Sequence, residues 1–301
     1  DFMKQQIKSS LILLLTATIW GVAFVAQSVG MEYIGPFTFN AIRCVLGGLV
    51  LIPVILVLKK KKETGAENQE KEDKKTLWTG GIACGVILCI ASNLQQFGIM
   101  EASVGKSGFF TALYIVMIPV IGIFIGKRPG IKLWFCVALA VVGMYLLCMK
   151  DGSFTIERAD IMLLLCALAF SFHILVVDYF SPKVDGVKMS CIQFFVCGVL
   201  SAVGMLFTET PDISNIQAAW LPLLYAGLLS CGVGYTLQIV GQKGINPVIA
   251  SLIMSLESVI SALAGWVILG QVLSPKEILG CVLMFVAIII TQIPIGNKKT
   301  D

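Results

Sequence analysis

The sequence predicts an all-α integral membrane protein of ten transmembrane helices, arranged as two inverted five-helix repeats with both termini cytoplasmic. Three observations predict it: the length of the apolar runs, the placement of Lys and Arg, and the likeness of the two halves. Of 301 residues, 57% are hydrophobic and 13% are charged, where a soluble chain carries about 25% charged residues. Mean hydropathy is +0.91.

Runs of about 20 apolar residues match the hydrocarbon thickness at a helical rise of about 1.5 Å per residue. The runs place spans at Ser9–Ser28, Pro36–Leu58, Leu77–Gly98, Ser107–Gly126 and Ile131–Cys148. The second five lie at Asp160–Phe180, Met189–Phe207, Trp220–Val240, Pro247–Gly270 and Glu277–Ile293. The first run follows Lys4 and Lys8, is too long for a signal-peptide core and lacks a small-x-small cleavage site, so it reads as a span. Pro129-Gly130 and Pro275 break the apolar sequence at the two closest joints.

Orientation follows from the cations. With the N-terminus inside, the inner segments hold 17 Lys and Arg and the outer loops hold 4, namely Lys106, Lys150, Arg158 and Lys276. The inner set includes Lys59 to Lys75, the one long hydrophilic stretch, and Lys127, Lys298 and Lys299. That stretch reads as a cytoplasmic loop of the cell membrane protein.

The halves, residues 1–150 and 151–301, share features in order. An offset of 142 carries Trp78 to Trp220, Gly85 to Gly227, Cys89 to Cys231 and Gln96 to Gln238. An offset of 144 carries Gly126 to Gly270, and one of 150 carries Ala17 to Ala167. Five is odd, so tandem copies of five helices cross the membrane in opposite senses. Inverted repeats permit alternating access to a site near the midplane.

Other classes are disfavoured. No Lys/Arg stripe interleaved with aromatics marks a nucleic-acid face. The ten cysteines lie in or at the ends of apolar spans without a CxxC, which argues against a metal site or redox cofactor. An intramembrane enzyme needs a nucleophile–base pair, a metal set or paired carboxylates. The chain has one His and no HExxH, and Glu257 and Asp178 sit at different depths. A lipid flippase or a non-transporting membrane subunit stays open as the alternative to a carrier of a small-molecule substrate.

The chain resembles the drug/metabolite transporter superfamily in its EamA-type branch, along almost its whole length. The likeness rests on Thr18-Ile19-Trp20-Gly21, on Arg43 within Phe39-Asn40-Ala41-Ile42-Arg43, and on Ser255-Leu256-Glu257-Ser258-Val259. It rests also on Gly265-Trp266-Val267-Ile268-Leu269-Gly270. The resemblance implies a secondary transporter, with export of amino acids or related metabolites favoured; relatives carry sugar nucleotides or sugar phosphates. Where the family continues Gly-Glu, this chain has Gly270-Gln271 and, in the first half, Gly126-Lys127.

Polar groups within spans mark the candidate site. Glu257 lies near the middle of the ninth span on a stripe with Ala250, Met254, Ser261 and Ala264. Its repeat mate is Leu113. It binds a substrate amine, carries a proton, or pairs with another polar group such as Arg43. Arg43 attracts a substrate carboxylate, snorkels outward or pairs with Glu257; its repeat mate is Gln193. His173, the one histidine, is a candidate proton relay alongside Glu257. Asn93 and Gln96 stand one turn apart, as do Tyr235 and Gln238, and either line a cavity or join helices. Trp20 and Tyr114 are candidate aromatic walls. Pro119 is the expected hinge of the fourth span.

Overall fold

A chain in hydrocarbon must satisfy its backbone internally, and helices do so within each segment. The computed structural model describes residues 2–64, 73–102, 104–126, 128–148, 157–269 and 272–293. Residues 65–72 of the hydrophilic loop, Lys127, Lys150, Gly270-Gln271, Lys298 and Lys299 lie outside the described residues.

The first half comprises α1 (Phe2–Gly30), α2 (Pro36–Thr64), α3 (Lys74–Glu101), α4 (Val104–Ala112), α5 (Tyr114–Phe124) and α6 (Ile131–Cys148). The second comprises α7 (Arg158–Phe180), α8 (Gly186–Thr208), α9 (Ile213–Ala218) and α10 (Trp220–Leu224). A π-helical stretch (Tyr225–Tyr235), α11 (Thr236–Gln242), α12 (Pro247–Met254), α13 (Glu257–Leu269) and α14 (Pro275–Gln292) follow. Among the described residues, eight helices or helix series are long and apolar enough to cross a membrane. α6 is apolar but shorter, and α14 is not among the eight.

The burial pattern is that of a membrane protein. Large apolar side chains face outward, as Val199, Val203 and Leu206 do along one face of α8. Polar side chains are buried instead, among them Gln27, Asn40, Gln193, Gln238 and Glu257. Helix ends carry local caps. Asp73 accepts from the amides of Lys75 and Thr76 at α3, and Asn246 accepts from Val248 N at α12. The Thr76 hydroxyl and the Lys75 amide hold the Asp73 carboxyl below its ordinary range. That cap is therefore intact above the ordinary carboxylate pKa and fails only as pH falls through the lowered value.

α2 is capped differently. Its entry residue Gly35 has no side chain, and the cap comes from the C-terminal end of α8. Glu209 Oε1 accepts from Phe37 N at 2.9 Å, while Oε2 accepts from Thr38 N at 2.9 Å and Thr38 Oγ1 at 2.6 Å. A Cβ on Gly35 would lie 2.3 Å from the Glu209 carboxyl carbon. Glu209→Ala is expected to cost about 1–2 kcal/mol of stability, the loss of a good cap. Gly35→Ala should be harmful in the parent and much milder in the Glu209→Ala background, in thermal unfolding of the detergent-solubilised protein.

Packing is reciprocal between the halves. α2 packs on α8, and α6 on α14. The contact of α3 with α7 is mirrored by that of the π stretch and α11 with α1. The contact of α4 and α5 with α7 is mirrored by that of α12 and α13 with α1. α6 and α14 meet backbone to backbone: a Cβ on Gly143 would sit 2.8 Å from Gly280 O, and one on Gly280 2.5 Å from Gly143 O. Small residues permit such approach in a membrane. Gly280→Leu is expected to cost at least about 1–3 kcal/mol through overpacking, read as a lower melting temperature.

Three spans depart from the expected single α-helices. The fourth is broken at Leu113, between α4 and α5, rather than hinged at Pro119, which sits inside α5. Leu113 N bonds Phe110 O and Val116 N bonds Leu113 O, both three residues back. The ninth is broken at Ser255-Leu256, the corresponding place in the second half. There Ser255 Oγ donates to Leu252 O at 2.7 Å, and Leu256 N turns to Ile253 O. A serine that takes a helical carbonyl competes with the backbone ladder. The eighth carries the π stretch, whereas its mate α3 is α-helical throughout.

Candidate functional site

Residues of α1, α2, α3, α4, α5, α7, the π stretch, α11 and α13 line a narrow cavity of about 30 Å³. One wall is aromatic. Trp20 and Tyr235 lie with ring centroids 4.6 Å apart, and Phe194 supports Tyr235 from behind at 5.7 Å. The π stretch matters here, because its backbone approaches Trp20: the indole Nε1 donates to Ser230 O at 3.4 Å. Any Cβ on Gly234 would meet that nitrogen at 2.7 Å.

The cavity holds one acid and one base. The break in the ninth span puts Glu257 at the first residue of α13. Tyr114, first residue of α5 at the other break, donates its hydroxyl to Glu257 Oε1 at 3.2 Å. Gly21 of α1 permits this placement, since a Cβ there would lie 2.7 Å from Glu257 O.

Arg43 is 2% exposed. Its guanidinium carbon stands 5.6 Å from the Phe39 ring centroid, and Nε has no hydrogen-bond partner. Among the described residues Arg43 has no carboxylate partner, so of its three readings from the sequence the pairing with Glu257 is absent in this structure. Thr111 Oγ1 and Gln238 Oε1, both on lining residues, are likewise buried without partners. Buried polar atoms are rarely left so, and these three lie on side chains that line one cavity.

The profile of the EamA-like transporter family matches residues 7–149 and 157–293. The chain belongs to that family. An uncharacterized transporter of Archaeoglobus fulgidus is 27% identical over 97% of this chain and 91% of its own length. YwfM, an uncharacterized transporter of Bacillus subtilis, is 23% identical over 97% of this chain and 96% of its own. A crystal structure of another protein superposes with a TM-score of 0.76 at 17% identity, covering 94% of this chain and 96% of that one. That likeness establishes the fold. This EamA-family chain is accordingly a multi-pass membrane protein of a transporter family.

Of the residues singled out from sequence, Trp20, Arg43, Tyr114, Tyr235, Gln238 and Glu257 line the cavity. Asn93, Gln96 and His173 are outside the lining. Asn93 accepts from Asn40 Nδ2 at 2.9 Å and donates to Ser201 Oγ at 3.0 Å, tying α3 to α2 and α8. Gln96 accepts from Gln27 Nε2 at 2.6 Å. His173 Nε2 is bonded to Gln193 Oε1 at 2.9 Å, its Nδ1 has no partner, and its ring meets Tyr235 edge-on at 6.1 Å. It touches the cavity wall from outside.

Sequence reasoning did not select Thr111, Gln95 or Ser230 as lining. Thr111 carried a usable signal, a hydroxyl three residues before Tyr114 on the same helical face. Ser230 enters through its position on the π stretch, which no residue pattern announced.

Proposed function

We propose that the chain is a secondary transporter of ten spans, two inverted five-helix repeats of residues 1–150 and 151–301, with both termini cytoplasmic in the cell membrane. It moves small metabolites by alternating access, zwitterions such as amino acids or related compounds first, with export favoured. One observation carries the substrate class: Arg43 and Glu257 line a single cavity and are not paired with each other. An acid, a base and an aromatic wall between them suit a carboxylate, an amine and an apolar side chain. Gln238 and Thr111 offer further polar contacts.

Reciprocal packing and the paired breaks at Leu113 and Ser255-Leu256 support the repeat reading. Broken helices at a midplane site are a recurrent transporter device. The 17-to-4 cation imbalance supports the orientation. Glu257, within the cavity, is the first candidate for proton coupling, and His173, behind Tyr235, the second.

The test is flux in proteoliposomes across labelled amino acids, nucleosides and sugar phosphates, with and without a pH gradient. Saturable flux of an amino acid supports the reading. Flux of sugar phosphates alone overturns the zwitterion assignment, and no flux of any compound overturns the carrier.

A further inference from the structure

We propose that Cys44 of α2 and Cys197 of α8 form an oxidisable pair, and that its closure to a disulfide ties the two halves together and arrests exchange. The sulfurs lie 3.4 Å apart across a sequence separation of 153 residues. Both side chains are buried, at 1% and 0% exposure. A disulfide needs about 2.05 Å between sulfurs and close Cβ atoms. The backbones already meet at this level: a Cβ on Gly198, next to Cys197, would touch Val45, next to Cys44, at 3.0 Å.

Ser92 Oγ stands 3.7 Å from Cys197 Sγ. Arg43, the residue before Cys44, lines the cavity. With a hydroperoxide as oxidant, one thiolate attacks the O–O bond to give a sulfenic acid and releases water or an alcohol. The second thiol then attacks the sulfenic sulfur, forms the S–S bond and releases water. Two thiols are oxidised by two electrons, and the peroxide is reduced by two.

The full-length protein in lipid vesicles is treated with dilute hydrogen peroxide, denatured, alkylated and digested. The expected result is a linked pair of peptides holding Cys44 and Cys197, absent after dithiothreitol and absent in Cys44→Ser and Cys197→Ser separately. Both thiols remaining alkylatable, or Cys197 linking to Cys89 instead, overturns the pair. Flux should fall at least fivefold on oxidation and recover on reduction, and this arm rests on the transport reading above. Flux equal in both redox states with the link formed overturns the arrest. Failure of the transport reading is distinct, because it leaves no flux in either state.

Discussion

Arg43→Met is expected to lower substrate flux by about 10- to 150-fold while raising the melting temperature of the protein. The two effects have one cause. Arg43 is a fully buried guanidinium with an unpartnered Nε and, among the described residues, no carboxylate partner. Isolated buried charge is costly, and replacing buried charged groups by apolar residues of similar volume is often stabilising by about 1–4 kcal/mol. A residue kept for the fold would do the opposite. Methionine fills the same space with a flexible apolar chain. It removes the one cation that lines the cavity. Loss of a charge-assisted contact to a substrate carboxylate, about 1.5–3 kcal/mol, weakens binding by about 10- to 150-fold. Thermal unfolding in detergent and flux in proteoliposomes measure the two limbs. A lower melting temperature with unchanged flux would assign Arg43 to structure. Arg43→Lys separates charge from shape, since a lysine keeps the cation and loses the planar fork.

Glu257→Gln is expected to lower flux by about 10- to 150-fold, for loss of a charged partner worth about 1.5–3 kcal/mol. Glutamine keeps the size and the oxygen that accepts from Tyr114 at 3.2 Å, so the break in the ninth span should survive. Tyr114→Phe removes that hydrogen bond alone and should cost less, about 0.5–1.5 kcal/mol. If Glu257 also carries the coupled proton, flux by Glu257→Gln loses its dependence on external pH between about 5.5 and 8, the range of a physiological proton switch. His173→Ala gives the comparison. Its imidazole is bonded to Gln193 and stands behind Tyr235, so a changed pH profile there with an intact profile in Glu257→Gln would move the proton site to His173.

What the sequence by itself determined is the class of the molecule, its helices and its costly groups. The bilayer acts on composition along the chain, so apolar runs and intervening cations are legible without tertiary information. The same constraint singles out Arg43 and Glu257, because an ionisable side chain within an apolar run needs a reason to be there. The rotation of each helix about its axis was beyond that reach. A step of one residue turns a helix by about 100°; Gln95 lines the cavity and Gln96 does not, though both accept from Gln27. Asn93 likewise joins α2 and α8 in place of lining. Only the tertiary structure decided where helices break. Pro119 is the residue that disrupts a ladder in isolation, yet the break falls at Leu113, opposite the one at Ser255-Leu256. Those breaks, and the close approach of Gly21 to the Glu257 carbonyl, bring Tyr114 and Glu257 together and leave Arg43 unpaired. The physical reason is that packing between helices, not the preference of any one segment, selects which polar groups meet and which are left for a guest.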